Sequence, residues 1–332
     1  MRDRSDGILR RVTESLDYPL RVGPQDRPRW SVMVPVHNCA PYLTVALSEV
    51  VAQLGRRDDV EIVVVDDDST DDPAAVVQRI SQGRVRFVTN PHNLGAIGTF
   101  NHCLELASGE LVHLLHGDDA VLPGFYDAME QALADPEVVA AVCRTRFIDA
   151  DGKPGPTSRS YRTGTGVWTG ALEAEAVSNR IRPPGIVVRR SVYERIGGYR
   201  EDLPHAADWE MWTRVASTGP IVFIDEVLSC YRRHDASDTA DRVRTGVNVR
   251  ERITALEMIS QYLPSHRRRP MIRRGLIFAA IFATRTAASL ARDGDVRGAA
   301  RQLWEAVRCL AMVPSGLRRT VVDTPPRVNG GG

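Results

Sequence analysis

The feature that most constrains the fold is a short apolar stretch that ends in two adjacent carboxylates. Glu110-Leu-Val-His-Leu-Leu-His-Gly-Asp-Asp119 predicts a buried strand that is followed at once by a turn. Carboxylate oxygens are ligands that Mg²⁺ and Mn²⁺ prefer, so Asp118 and Asp119 are a candidate metal site. Adjacent aspartates also begin turns and cap helices, and the stretch by itself leaves both interpretations open.

An apolar strand followed by a polar loop recurs through the first half of the chain. Four further strands are predicted at residues 30–36, 60–65, 85–88 and 138–147, with helical periodicity between them. Strands that are apolar throughout are typical of a parallel sheet that is covered on both faces. The alternation predicts a doubly wound α/β layer, in which ligands bind at the carboxyl ends of the strands. The carboxylate-rich loop at residues 66–72 lies at that edge.

The alternation stops at residue 149, and the second half of the chain has a different character. Gly, Pro, Thr and Arg dominate residues 149–184, and we expect this loop, like residues 235–247, to be mobile and to order on ligand binding. Helical periodicity dominates after residue 247. The predicted organisation is a polar lead-in at 1–28, an α/β domain at 29–240, a helical subdomain at 241–320 and a disordered tail at 321–332.

Charge, cysteine content and hydropathy exclude several classes of protein. The formal net charge of +1 argues against a dedicated nucleic-acid binder. The five cysteines are scattered and form no Cys-x-x-Cys, which argues against a zinc site or disulfide framework and favours a reducing compartment. No signal peptide is recognisable, and the longest apolar run, residues 275–284, is about half of a membrane span. We expect a cytoplasmic protein, at most peripheral to the inner face of a membrane.

The C-terminal helices combine that apolar run with clusters of arginine. This combination fits contact with a membrane surface, but a packed cap or a homodimer interface is favoured.

Several motifs, in a fixed order, resemble glycosyltransferase family 2, the inverting nucleotide-sugar enzymes of GT-A fold. They are Ser31-Val-Met-Val-Pro-Val-His-Asn38, Val63-Val-Val-Asp-Asp-Asp-Ser-Thr-Asp71, Asn93-Leu-Gly95, Leu115-His-Gly-Asp-Asp119, Gly197-Gly-Tyr-Arg-Glu-Asp-Leu-Pro204 and Ala207-Asp-Trp-Glu-Met-Trp-Thr-Arg214. The resemblance covers roughly residues 30–237. It implies a GT-A domain, Rossmann-like with a mostly parallel sheet and flanking helices, ahead of the helical subdomain.

The resemblance also implies roles for individual residues. Asp119 would hold a divalent metal, Mn²⁺ or Mg²⁺, that offsets charge on the departing nucleoside diphosphate. Asp208 would be the general base that takes the proton of the acceptor hydroxyl. Asp67 would accept the N–H of the base, which weakly favours a UDP-sugar. The set implied to bind the donor nucleotide is Pro35, His37, Asn38, Asp67, Asn93, Gly95, Asp118, Arg233 and His234.

Two positions depart from the family pattern. Phe100 stands where the family often has an arginine in the helix after the Asn-x-Gly turn, so the identity of the donor base is open. Ala207 precedes Asp208 where an acidic residue is common. The acceptor is open as well, among a polysaccharide, a lipid-linked sugar, a peptide and a small metabolite.

Other functions fit the sequence less well. A nucleotidyltransferase or a dehydrogenase would need a glycine-rich phosphate loop after the first strand, where this chain has Pro35-Val-His-Asn-Cys-Ala-Pro41. A non-catalytic nucleotide-sugar-binding protein is disfavoured because Asp67, Asp119 and Asp208 are retained. His113 and His116 suggest a metal hydrolase, but residues three apart on a strand point to opposite faces. At most His116 would face a metal, and we expect neither histidine to be a ligand.

Overall fold

The computed structural model describes residues 27–81, 83–233 and 243–313. Most of the predicted lead-in, the whole predicted tail and His234 lie outside these residues. Within them, ten strands form one mixed sheet: β1 Trp30–Val36, β2 Val60–Asp66, β3 Arg86–Thr89, β4 Leu111–Leu114, β5 Ala120–Val121, β6 Ala140–Ile148, β7 Pro154–Thr157, β8 Gly166–Val167, β9 Ile186–Arg189 and β10 Ile221–Arg232.

Helices cover both faces of this sheet. In the described part of the chain they are α1 Ala40–Leu54, α2 Pro73–Ser81, α3 Gly95–Leu106, α4 Phe125–Ala132, α5 Ala171–Val177, α6 Arg190–Ile196, α7 Ala207–Ala216, α8 Val247–Ile259, α9 Ser265–Arg292 and α10 Val296–Met312. Short 3₁₀ turns lie at Pro183–Gly185 and Ser260–Tyr262. No helix within the described ranges is long and apolar enough to cross a membrane.

The strand order is β3-β2-β1-β4-β9-β6-β10-β5, with β7 beside β6 and β8 beside β10. The first four strands are parallel, whereas β9 runs antiparallel to both of its neighbours. This mixed α/β sheet with flanking helices, followed by further helices, confirms the predicted fold class. Register brings Val36 level with Asp66, and Asp66 level with Thr89, so the carboxyl ends of the strands meet at one edge.

Alternate residues of the central strands supply two apolar layers. Val32 and Val34 of β1 pack with α1 and α4, whereas Met33 packs on the opposite face with α3 and α7. This second layer continues without a break into α8, α9 and α10. The C-terminal helices therefore share a core with the sheet, while the position of the domain boundary stays a prediction.

The long loop at residues 149–184 contains more structure than its composition indicates. It includes the strands β7 and β8, the helix α5 and the 3₁₀ turn at Pro183–Gly185. Strand β10 is also longer than the apolar stretch that predicted it, because register shifts against β6 carry the strand past Asp225 and Glu226. The predicted mobility of the loop stays a prediction.

Candidate functional site

The loops that follow β1 and β2 form the first corner of the site. Asn38, Asp68 and Asp72 have φ values of 49°, 61° and 55°, in the left-handed region that asparagine and aspartate tolerate best among residues with a Cβ. The side-chain oxygen of Asn38 accepts hydrogen bonds from the backbone N–H and the hydroxyl of Thr70, at 2.9 and 3.0 Å. Asn38 therefore fastens the carboxylate-rich loop to the end of β1.

Asp67 lies at the centre of this corner and is buried. Its Oδ1 accepts the backbone N–H of Leu94 at 2.7 Å and the Asn90 side-chain amide at 2.8 Å. Its backbone carbonyl lies 2.7 Å from Nδ1 of His37 and accepts the Asn93 amide at 3.2 Å. Two residues predicted to bind the donor, His37 and Asn93, thus meet at the backbone carbonyl of Asp67.

The turn at the start of α3 completes the corner. Oδ1 of Asn93 accepts the N–H of Gly95 at 2.9 Å, and Gly95 has a φ of 73°. Pro35 belongs to the buried end of β1, and its carbonyl accepts the N–H of Gly117 at 3.1 Å. That bond connects this corner to the aspartate pair after β4.

The aspartate pair forms the second corner, together with His116. One ligand atom each from His116, Asp118 and Asp119 lies within 4.8 Å of the others. Asp119 is 1% exposed, and its Oδ1 accepts the backbone N–H of Arg232 at 2.8 Å. Its Oδ2 is buried and has no hydrogen-bond partner in the part of the chain that the structure describes.

The electrostatics of Asp119 fit a cation. Burial, and then the negative charge of Asp118, raise the pKa of the Asp119 carboxyl well above its usual range. A buried polar atom without a partner calls for an explanation, and a divalent ion beside Oδ2 supplies one. The residues present therefore fit a hard metal ion with oxygen ligands.

His116 takes part in this group, which the sequence did not lead us to expect. Its Nδ1 lies 3.8 Å from Oδ2 of Asp119, and its ring stacks on Phe100 with centroids 4.7 Å apart. Burial lowers the pKa of His116, and Asp118 and Asp208 oppose that shift, so the imidazole is neutral and has a lone pair for a metal. The sequence did contain a signal for this group, because Asp119 follows His116 by three positions across a turn.

His113 points away from the aspartate pair. Its ring nitrogens lie 3.1 Å from the Tyr126 hydroxyl and 3.3 Å from the carbonyl of Pro184. Burial lowers the pKa of His113 to about 3, so it is a neutral core residue. The two histidines therefore separate, His113 into the core and His116 to the aspartate pair.

Arg232 holds the aspartate pair in place. Its Nε donates to the carbonyl of Asp118 at 2.8 Å, and its Nη1 donates to the carbonyls of Asp149 and Ala150 at 3.0 Å. The guanidinium is thus engaged with the main chain. Its neighbour Arg233 is exposed, with its guanidinium carbon 4.0 Å from the centre of the Phe147 ring.

Asp208 lies in the first turn of α7, two positions after the N-cap residue Ala206, so it does not cap the helix. Its Oδ1 accepts the N–H of Trp209 at 2.7 Å, and its Oδ2 accepts the side-chain amide of Asn179 at 2.9 Å. The charges of Asp208 and Asp118 both act on His116 and on Tyr231, so Asp208 lies near the aspartate pair, and we call the space between them the cleft. Asn179 is a site residue that the sequence analysis missed, because it belongs to the irregular loop before β9.

Comparisons with known proteins agree with this architecture. The chain matches the model of the family named Glycosyl transferase family 2 over residues 31–197, a match that ends before Asp208. It is 30% identical to an uncharacterised protein, MT1568, of Mycobacterium tuberculosis. That alignment spans 253 residues and covers 72% of this chain and 78% of the other.

Two solved structures share the fold. Residues 1–349 of TarS from S. aureus, in complex with UDP-GlcNAc, align with a TM-score of 0.55 at 17% identity, covering 89% of this chain and 95% of that one. The mannosyltransferase PcManGT from Pyrobaculum calidifontis, in complex with GDP-Man and Mn²⁺, aligns with a TM-score of 0.54 at 21% identity, covering 92% and 93%.

Proposed function

This chain belongs to glycosyl transferase family 2 and is a glycosyltransferase, and we propose that it moves a sugar from a nucleoside diphosphate to an acceptor hydroxyl by metal-assisted, inverting single displacement. The observation that carries this proposal is the orphaned, buried Oδ2 of Asp119 on the same cleft as the Asp208 carboxylate. One side of the cleft offers an oxygen ligand to a cation, and the other offers a base.

In this proposal the donor occupies the corner formed by β1, β2 and α3. Asp67 accepts the N–H of the base, and Pro35, His37, Asn38, Asn93 and Gly95 form the surrounding wall. Asp118 contacts the ribose or the sugar, and the diphosphate meets Arg233 and His234. A UDP-sugar is the favoured donor because the Asp67 carboxylate would accept the ring N–H of the base. Of the two structural neighbours, one binds UDP-GlcNAc and the other binds GDP-Man.

Asp119 and His116 would hold a divalent ion, Mn²⁺ or Mg²⁺. Such an ion offsets the charge that develops on the departing nucleoside diphosphate. The burial of Asp119 favours this assignment because its carboxylate gains more from a cation in a poorly solvated site than it would in water.

Asp208 acts on the acceptor. Its carboxylate accepts the proton of the acceptor hydroxyl while that oxygen attacks the anomeric carbon, and the bond from that carbon to the diphosphate oxygen breaks. The hydrogen bond from Asn179 to Oδ2 fixes the orientation of the carboxylate. Attack opposite to the leaving group inverts the anomeric configuration. The acceptor is a carbohydrate, a lipid-linked sugar or another hydroxyl compound used in polysaccharide or glycoconjugate synthesis.

The two sides of the cleft are tested separately with three variants and UDP as the probe. Asp119→Ala abolishes Mn²⁺-dependent binding of UDP in calorimetric titration, because the buried ligand is lost. His116→Ala raises the Mn²⁺ concentration that is needed for half-maximal binding. Asp208→Asn binds UDP and Mn²⁺ as the wild type does, but loses at least about a hundredfold in the hydrolysis or transfer of a UDP-sugar.

Asp127→Asn is the matched control, since Asp127 is exposed on α4 and has no role in the cleft. Unchanged turnover of Asp208→Asn would show that the base is a different group. UDP binding by the wild type that does not respond to Mn²⁺ would overturn the metal assignment.

We further propose that the enzyme is a cytoplasmic protein that rests on the inner face of a membrane through α9 and α10. Large exposed apolar side chains concentrate on these two helices: Ile277, Phe278, Ile281, Phe282, Val296, Leu303, Trp304, Val307 and Leu310. The sequence of α9 contains seven arginines and no acidic residue. Apolar and cationic side chains on one surface complement an anionic bilayer better than they complement a second copy of the same cationic surface.

A further inference from the structure

Three arginines that have no carboxylate partner among the described residues surround the cleft beside Asp208. Arg182 precedes β9, Arg233 follows β10 and Arg252 belongs to α8. The guanidinium carbons of Arg182 and Arg233 lie 5.8 and 4.0 Å from the centre of one ring, that of Phe147. The guanidinium carbon of Arg252 lies 4.9 Å from the ring of Trp209, the residue after Asp208. None of the three forms an ion pair within the described ranges of the chain.

Their environment differs from that of two buried arginines, Arg214 and Arg232. Arg214 pairs with Glu210 at 2.8 Å and donates to two carbonyls, and Arg232 donates to three carbonyls. Arg214 leaves only its Nε without a partner, and its two other nitrogens are paired. Nη1 of Arg252 is also buried and has no hydrogen-bond partner among the described residues, and Arg252 has no ion pair there to offset its charge. Buried guanidinium groups are normally satisfied, so this one indicates that a partner is missing.

The charges of the cluster repel one another. Burial first, and then the charge of Arg182, lower the pKa of Arg233, and the same two causes lower the pKa of Arg252 to about 10. Three nearby cations destabilise one another unless an anion lies between them. In the proposed function the diphosphate of the donor contacts Arg233. Arg182 and Arg252 instead lie near Asp208, the proposed base.

That connection passes through Asn179 and Asp208. Nη2 of Arg182 donates to the carbonyl of Asn179 at 3.4 Å, and the side-chain amide of Asn179 donates to Asp208 at 2.9 Å. The charge of Asp208 acts on Arg252. An anion held by these two arginines therefore lies beside the hydroxyl that Asp208 deprotonates.

We propose that Arg182 and Arg252 bind an anionic group of the acceptor, a phosphate or a carboxylate adjacent to the hydroxyl that receives the sugar. The proposal rests on the role of Asp208 as the base. Guanidinium groups suit it because they bind such oxygens through two parallel hydrogen bonds. These two residues would thus select a charged acceptor over a neutral one and orient its nucleophilic oxygen toward Asp208.

The test uses the full chain and three small probes: glycerol phosphate, glycerate and glycerol. We expect calorimetric titration to detect binding of one of the anions and none of glycerol, and the anion that binds identifies the charged group. Arg182→Gln and Arg252→Gln each weaken that binding by about tenfold or more, as loss of a charge-assisted hydrogen bond does. Arg252→Lys keeps the charge but loses the two-pronged geometry, and its loss is smaller.

Arg274→Gln is the matched control, because Arg274 is exposed on α9 away from the cleft, and it leaves binding unchanged. Thermal unfolding of each variant identifies a loss that comes from misfolding. The titrations are repeated with saturating UDP and Mn²⁺. Displacement of the anion by UDP would assign both arginines to the donor diphosphate and overturn the proposal.

Equal binding by the Gln variants, or no binding of either anion in the millimolar range, would overturn it as well. Failure of the proposed function has a different signature, because it appears as absent UDP binding in the wild type whether or not the anion binds.

Discussion

Two buried carboxyl groups near the cleft, Glu175 and Asp119, differ in whether their oxygens have hydrogen-bond partners. Both oxygens of Glu175 lie within hydrogen-bond distance of the backbone N–H of Arg180, at 3.1 and 3.2 Å. Asp119 has one oxygen bonded to Arg232 and one with no partner among the described residues. Burial raises the pKa of both groups, but only Asp119 leaves a lone pair for a ligand. Because both carboxyl groups are buried, burial does not distinguish them. The presence or absence of a hydrogen-bond partner for each oxygen does, and it separates the structural Glu175 from Asp119.

Glu175→Gln is expected to change the dependence of stability on pH. Burial raises the pKa of Glu175 from 4.5 to about 8, so the carboxyl is neutral at neutral pH. Because the pKa of the folded state lies above that of the unfolded state, the contribution to stability is complete below the unfolded value. It is lost as the pH rises through about 8. Glutamine mimics the neutral acid at every pH.

The free energy of unfolding of the wild type should therefore fall relative to that of Glu175→Gln by about 2 kcal/mol between about pH 6 and about pH 9. Urea denaturation at the two pH values measures the difference. Glu201→Gln, at an exposed position, is the control and should follow the wild type. Parallel pH profiles for Glu175→Gln and the wild type would mean that Glu175 is already ionised at neutral pH.

At the scale of elements, Asn38 in the loop after β1 makes three hydrogen bonds to the loop after β2. Asn38 accepts two hydrogen bonds from Thr70 and donates its own backbone N–H to the hydroxyl of Ser69 at 3.0 Å. These contacts position the loop that begins with Asp66 and Asp67. Asn38 thereby influences the proposed nucleoside pocket through the loop as well as through any direct contact.

Asn38→Ala is expected to destabilise the protein by about 1–3 kcal/mol and to weaken UDP binding, because it removes the bonds to Thr70 and places alanine at a φ of 49°. Asn38→Gly removes the same bonds without the conformational strain, so its loss of stability should be smaller. Chemical denaturation and UDP titration of both variants measure the two effects. Wild-type stability in Asn38→Ala would show that the Thr70 bonds do not hold the loop.

Elements with a strong periodic pattern were predictable, and elements that depend on distant contacts were not. Helix α10 occupies Val296–Met312 as its periodicity predicts, and β1 occupies its predicted apolar run. Strand β7 consists of four exposed residues, Pro154–Thr157, that show no alternation. Its existence depends on pairing with β6, which the local sequence does not encode.

The same distinction applies to the site. Asp67, Asp119 and Asp208 stand in recognisable motifs, and the fold brings their neighbourhoods together. Asn179 and Arg252 come from an irregular loop and from α8, and their relevance appears only when those elements pack beside α7. His116 was undervalued because strand geometry was applied to a residue that lies beyond the end of β4.

At the scale of the molecule, the C-terminal helices pack into the core of the sheet on one side and are exposed on the other. Leu276, Ala279 and Ala283 of α9 belong to the same core as Trp209 and Trp212 of α7. Arg252 of α8 reaches the ring of Trp209 from this side. The outer side of α9 and α10 carries the large apolar residues that no described part of the chain covers. Helix α8 therefore contributes a residue beside Asp208, while α9 and α10 present a surface outward.

The proposed membrane contact predicts binding to anionic vesicles. Flotation with phosphatidylglycerol vesicles should recover the wild-type protein, and phosphatidylcholine vesicles should not, because basic side chains near an anionic surface contribute about 1 kcal/mol each. Trp304 is 65% exposed on α10, and Trp304→Ser should weaken binding roughly tenfold by removing a large apolar side chain. Added salt should weaken it further.

Val45→Ser is the matched control, because Val45 is 49% exposed on α1, which packs on the opposite face of the sheet. Light scattering after size exclusion tests the alternative, in which a second copy of the chain covers α9 and α10. A wild-type dimer that dissociates in Trp304→Ser, together with no flotation on either vesicle, would show that a second copy covers α9 and α10. A monomer that floats only with anionic lipid would place the cleft beside a bilayer, where an acceptor anchored in that bilayer could reach Asp208.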